Sequence, residues 1–156
     1  GGVMTSFPRG LEKIFSNLNS FFFYDMRLKE IHQRDLRPFR ELKCLRIEMN
    51  LVEVLEADLF KFNSKIEFIS FIDNKLSHID SHVFDNLNSL SRLHLTNNNC
   101  EVQFEDAGSR EEVEKVVAKI QQQKCEDSKV YENYFTFFSC FSLVPISIDG
   151  WAEKSF

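Results

Sequence analysis

The sequence lacks any excess of positive charge: 19 lysines and arginines stand against 24 aspartates and glutamates, a net charge of −5. That balance removes the long-range attraction to phosphate on which nucleic-acid binding depends, so nucleic acid is not expected as a partner. No apolar run approaches the roughly 20 residues needed to span a bilayer, and membrane association is not indicated. Cysteine is scarce and scattered. Cys44, Cys100, Cys125 and Cys140 offer neither zinc-knuckle spacing nor a Cys-x-x-Cys redox pair, and none stands near a histidine at metal-ligand spacing. No metal or cofactor is therefore expected. The chain opens Gly1-Gly2-Val3-Met4 without a charged, apolar, small-residue leader, and it has no Asn-x-Ser/Thr sequon, an absence that carries little weight.

What is present is a period of 24 residues from Leu18 to Cys100. Aligned on Leu18, Leu42, Ile66 and Leu90, four copies begin L-N-S-F-F-F, L-K-C-L-R-I, I-E-F-I-S-F and L-S-R-L-H-L. Each reads apolar-x-x-apolar-x-apolar. Eight residues after the start come Asn50, Asn74 and Asn98, with Met26 the exception, and later apolar slots hold Leu28, Val52, Leu76 and Cys100, then Ile31, Leu55 and Ile79. Upstream, Met4, Phe7 and Phe15 sit one period before Leu28, Ile31 and Phe39, while Leu11 falls one residue short of the slot that Leu36 implies. The chain thus opens in mid-repeat and reads as part of a longer protein. Such periodicity means a solenoid, in which each copy is stable only against its neighbours.

The apolar-x-apolar segment of each copy should form a short strand, and stacking the copies lays these strands in parallel, about 4.8 Å apart, as one curved sheet lining a concave side. Asparagine suits the turn out of the strand because its amide both donates to and accepts from backbone groups without ladder partners. Met26 cannot do so, and the first complete copy should be looser there or satisfied by water. Leu36 and Phe39, Phe60 and Phe62, and Phe84 and Leu87 should fill the convex half of an aromatic-rich core.

The pattern L-x-x-L-x-L-x-x-N-x-L-x-x-I, cleanest in I-E-F-I-S-F-I-D-N-K-L-S-H-I from Ile66 to Ile79 and followed by Phe84, resembles the leucine-rich repeat family in its 24-residue extracellular form. The resemblance covers residues 3 to 100. It implies an α/β solenoid, a horseshoe with a short-strand parallel sheet on the concave face and a C-terminal capping helix. Function is left nearly open by this motif, since one scaffold serves many roles.

The domain reading is repeats over 1–100, starting at 18, 42, 66 and 90, then a helical cap over 101–127 and an aromatic-rich tail over 128–156. Ser109-Arg110-Glu111-Glu112 is a capping box opening a helix of about 109–124, with Val113, Val116, Val117 and Ile120 on one stripe. Glu111, Glu112 and Glu114 read as its exposed face and dipole-matched first turn. Extracellular members of the family often end in a cysteine-linked cap, which implies a Cys100–Cys125 disulfide here; two reduced, buried thiols are the other reading. Whether Cys44 and Cys140 pair stays open. The tail, with Tyr131, Tyr134, Phe135, Phe137, Phe138, Phe141, Leu143 and Val144, has no repeat register and reads as an element packing on the cap, a peptide that binds the solenoid, or a hydrophobic tail too short to cross a bilayer; packing on the body of the domain is favoured, since an exposed run would aggregate.

Side chains between the core slots of the strands should face solvent on the concave side. Neighbouring copies give three columns: Ser20, Cys44, Phe68 and Arg92; Phe22, Arg46, Ser70 and His94; Tyr24, Glu48, Ile72 and Thr96. Phe22, Tyr24, Arg46, Glu48, Phe68, Ser70, Ile72, Arg92 and His94 are the candidate partner-binding residues, since aromatics with arginine are typical interface anchors. Burial under the tail is the rival account. Ser70 and His94 on adjacent strands, with Glu48 beyond, are raw material for a hydrolase, but an open sheet offers neither an oxyanion hole nor a water-excluding pocket, so no catalytic residue is expected. His32, His78 and His82 should be solvated residues of the convex connections. The expectation is a non-enzymatic extracellular module, secreted or part of a surface protein, that binds a protein ligand; the alternative is a structural fragment of a receptor or matrix protein whose binding surface lies in missing repeats. Oligomeric state is not legible.

Overall fold

The computed structural model describes residues 5–15, 17–100 and 106–123. Their elements run α1 (Leu11–Ile14), β1 (Ser20–Tyr24), α2 (Gln33–Leu36), β2 (Cys44–Glu48), β3 (Val54–Leu55), β4 (Phe68–Ser70), β5 (His78–Ile79), β6 (Arg92–His94) and α3 (Arg110–Gln123). The 24-residue period becomes a parallel sheet in the order β1-β2-β4-β6. Its register is one period throughout: Phe21 lies beside Leu45, Leu45 beside Ile69, and Ile69 beside Leu93. Alternation puts these residues inside, with Ile47 and Phe71 one slot further on, and all are buried. Leu42, Ile66 and Leu90 are also buried, in a single file.

A second, smaller sheet, not anticipated from the sequence, runs on the outer side of the coil. Val54 pairs with His78 and Leu55 with Ile79, and Ser6 bridges Glu30 one period apart in the same way. His78 is therefore a strand residue and half-buried, not a solvated loop residue. Behind the strands the core is aromatic. Phe21 meets Phe39 edge-on at 4.7 Å, Phe7 lies 5.4 Å from Phe21, and Phe60 stacks on Phe84 at 6.1 Å. Phe62 departs from its expected core place: it is half-buried, with Arg37, Arg40 and Lys61 around its ring. Strands cannot turn sharply with ordinary backbone, and the copies share one position that does this. Asp25, Met49, Asp73 and Asn97, 24 residues apart, have φ of 50°, 52°, 55° and 57°. Three of the four are Asp or Asn, which tolerate the left-handed region best among residues with a Cβ.

The asparagines after these turns each serve two copies. Asn50 Nδ2 donates to its own Glu48 carbonyl and to Phe23 of the copy before, while its Oδ1 accepts from the amides of Met26 and Leu28. Asn74 repeats this with the Ile47 and Phe71 carbonyls and the Val52 amide, and Asn98 with the Phe71 and Leu95 carbonyls and the Leu76 amide. At the first turn, where Met26 stands in the asparagine slot, Asn50 still bonds the local amides, and this turn alone has a second left-handed residue, Arg27 at φ 61°. A further asparagine, buried Asn63, donates to the Leu36 and Phe39 carbonyls of the previous copy.

At the far end Ala107 exchanges both backbone bonds with Leu93, an antiparallel bridge that blocks the edge beside β6. Helix α3 then covers the last copy with Val113, Val116 and Ile120, all buried, and Val117 partly so. Glu112 N–H donates to Ser109 Oγ at 3.3 Å, and Glu112 Oε2 accepts from Gly108 N–H at 2.7 Å. Glu111 pairs with Lys115 and Glu114 with Arg110. Arg110 also donates through Nη1 to the carbonyls of Leu87, Asn88 and Leu90 at 3.1 Å each, fixing the helix to the last convex turn. Cys100 is buried, with its Sγ 3.3 Å from the Leu76 carbonyl oxygen. Cys125, Cys140 and the segment 128–156 lie outside the described residues.

Candidate functional site

The concave face is built on strands whose inward residues are fixed, so its outward side chains stand in columns set by register. Ser20, Cys44, Phe68 and Arg92 follow one another from strand to strand, as do Phe22, Arg46, Ser70 and His94. Tyr24 faces Glu48 in the third column. Across these columns the rings and guanidiniums alternate. Arg46 lies over Phe22 at 4.5 Å and beside Phe68 at 5.9 Å, and Arg92 lies over Phe68 at 4.5 Å. Phe68 meets His94 edge-on at 4.9 Å, and Phe22 lies 5.9 Å from Tyr24. The result is a ladder of aromatic, cation, aromatic and cation running from β1 to β6.

Exposure grades along that ladder. Phe22 and Tyr24 are 56% and 51% exposed, unusual for large aromatics, and Arg92 is also exposed. Arg46, Phe68, Ile72, His94 and Thr96 are half-buried. Glu48 and Ser70, which the outward pattern offered as contact residues, are buried, at 8% and 0% exposure. Their place is corrected accordingly. Arg46 Nε and Nη2 donate to the two carboxylate oxygens of Glu48 at 2.8 and 3.0 Å, and Ser70 Oγ donates to Glu48 Oε1 at 2.7 Å. Glu48 is thus an anchor beneath the surface that holds Arg46 between its two rings.

Burial alone would push the Glu48 carboxyl up. The hydrogen bonds from Arg46 and Ser70 and the charges of Arg46 and His94 outweigh it and hold the group below its ordinary value. Arg46 is correspondingly held above its own, chiefly by the bond to Glu48. Burial pushes the half-buried Cys44 thiol up against the opposing charges of Arg46 and Arg92; Cys44 is a free cysteine among the described residues, and Cys140 lies outside them.

The same geometry bears on chemistry. The Ser70 hydroxyl gives its hydrogen bond to Glu48, not to His94, and it has no access to solvent, so it is not placed as a nucleophile. Among the described residues no group of His, Cys, Asp and Glu is arranged to hold a metal ion. His32 lies 3.3 Å from Glu56, and His82 lies 2.9 Å from Asp85, both on the outer side. Also among the described residues, no helix is long and apolar enough to cross a membrane.

A coil of parallel strands with stacked asparagines and a fixed inner face of aromatic and basic side chains belongs to the class of repeat scaffolds that present side chains from a sheet. The match to known proteins falls in the middle of the coil: residues 40–99 fit the leucine-rich repeat model. It is similar to a chain in the structure of the Toll–Spatzle complex, described as a molecular hub in Drosophila development and innate immunity, at 28% identity and a TM-score of 0.57. That likeness covers 62% of this chain and 13% of the other. Two further likenesses are to the APL1 leucine-rich repeat domain, at 21% identity and a TM-score of 0.49 over 62% and 32% of the two chains, and to the LRIM1/APL1C complex, at 20% and 0.49 over 62% and 23%. The chain therefore spans a third or less of each of these structures. No curated protein matches the sequence.

Proposed function

We propose that this domain is a non-enzymatic recognition module that binds another protein through its concave sheet, outside the cell. The observation that carries the reading is the exposure of Phe22 and Tyr24 at one end of a ladder whose members are already held in place. Aromatic and arginine side chains are the usual anchors of protein interfaces. Here their positions are set by strand register and by the Arg46–Glu48–Ser70 hydrogen bonds, so little side-chain freedom remains to be lost on binding. The likeness to a chain of the Toll–Spatzle complex supports a protein ligand and an extracellular setting. The organisation that goes with this reading is a repeat region over 1–100, a cap over 101–127 tied by a Cys100–Cys125 disulfide, and a separate segment over 128–156.

The test is capture. Immobilised chain and its Phe22→Ser/Tyr24→Ser variant are exposed to extracellular fluid from the native source, and retained proteins are identified by mass spectrometry. The variant should lose the partner while still unfolding in one cooperative transition; undiminished capture would overturn the reading. Non-reducing peptide mapping of the native protein should find Cys100 joined to Cys125, and two reduced thiols would remove the extracellular assignment.

A further inference from the structure

We infer that the concave face is directional and takes an extended acidic segment of its partner, an apolar side chain resting on Phe22 and Tyr24 and a carboxylate engaging Arg92. This rests on the concave-face reading above and adds to it the chemistry and polarity of the ligand.

The inference starts from what is left unpaired. The three outward columns contain one carboxylate, Glu48, and it is committed to Arg46 through two hydrogen bonds. Among the described residues no carboxylate pairs with Arg92, although its guanidinium is exposed and lies over the Phe68 ring at 4.5 Å. A guanidinium lying over a ring keeps its N–H edges for a planar acceptor, and a carboxylate is the acceptor that fork geometry fits. His94, edge-on to Phe68, adds a second nitrogen group at the same end. In a chain of net charge −5, this face carries Arg46, Arg92 and His94 against one buried acid. One unpaired cation is too few for a nucleic-acid backbone, where affinity comes from neutralising many phosphates. At the opposite end Phe22 and Tyr24 offer apolar surface without a neighbouring unpaired charge.

Spacing fixes the ligand. From β1 to β6 are three strand-to-strand steps, about 14 Å, which an extended peptide crosses in about four residues. The segment that fits carries a leucine-like side chain and, four positions on, a glutamate or aspartate.

The experiment uses the full chain and two pentapeptides carrying fluorescein on the N-terminal amine, Leu-Ser-Thr-Ser-Glu and the same peptide ending in Gln, both amidated at the C-terminus. Anisotropy should show the Glu peptide binding about tenfold more tightly than the Gln peptide, with the advantage shrinking as salt is raised. Arg92→Gln should erase that advantage and leave the Gln peptide unchanged, whereas Phe22→Ser/Tyr24→Ser should weaken both. Cys44, a free thiol in register with Phe68, supplies an independent reporter. Its alkylation by iodoacetamide should slow with the Glu peptide in the unaltered chain and not in Arg92→Gln. Equal affinities for the two peptides, or a Glu preference that survives Arg92→Gln, would overturn the proposal. If the preference is absent but the aromatic variant still weakens both peptides, directionality falls and the concave-face reading stands. If neither variant changes either peptide, both fall together.

Discussion

Two rows of side chains cross the same strands, and they differ in kind. The asparagine row repeats one residue because every copy's backbone presents the same unpaired amides and carbonyls at its turn. The concave ladder never repeats: Phe22, Arg46, Phe68 and Arg92 alternate in chemistry while keeping contact. One row answers a demand that recurs each turn; the other answers only to its lateral neighbours and to whatever lies outside. Specificity can be stored in the second because the first already holds the scaffold.

The strongest way to break this comparison is Asn74→Leu. It strands the Ile47 and Phe71 carbonyls and the Val52 amide in the interior, and should cost about 4 kcal/mol, read as a fall in the urea midpoint. A variant as stable as the parent would show that the row is ornamental. Next is Glu48→Ala, which leaves the buried Ser70 hydroxyl and Arg46 without their acceptor and should cost about 2 kcal/mol. The same residue predicts a pH dependence. Its carboxyl is held below the ordinary 4.5, so the stability it supplies is present above that value and is lost as pH falls through the lower, folded-state value. Melting curves from neutral pH into the acid range should show this loss in the unaltered chain and a shallower one in Glu48→Gln; parallel profiles would contradict the anchoring role.

Smaller effects sharpen the contrast. Met49 holds a left-handed backbone at φ 52° with its side chain 43% exposed, where the equivalent residues are Asp and Asn. Met49→Asn should therefore stabilise by about 1 kcal/mol, and a lower thermal midpoint would refute that account. Smallest of all, Phe22→Ser should cost about 0.5 kcal/mol of stability, since it removes one exposed contact with Arg46. Its effect belongs to binding.

The coil was legible because its cause recurs. Leu42, Ile66 and Leu90 occupy one slot, and a period repeated with so few gaps leaves little freedom of register. Features that occur once carry no such signal. Asn63 stands where the neighbouring copies have Phe39 and Leu87, so nothing marked it as a second interior amide. Arg110 looked like an ordinary residue of a helix start, and only the proximity of the last turn reveals its three carbonyl contacts. At the candidate site, alternation told which way side chains leave the strand but not what comes to lie over them. Glu48 and Ser70 leave on the outward side as expected and are buried there because Arg46, drawn down by the carboxylate, and its flanking rings surround them. The left-handed positions were partly visible in Asp25, Asp73 and Asn97, and hidden at Met49.

The reach of each interior amide has a temporal side. Asn50, Asn74 and Asn98 serve backbone groups that precede them by 22 and 27 residues. During synthesis, a coil that has left the ribosome must wait about one more turn of chain before its turn is sealed, so assembly is completed from behind, each rung secured by its successor.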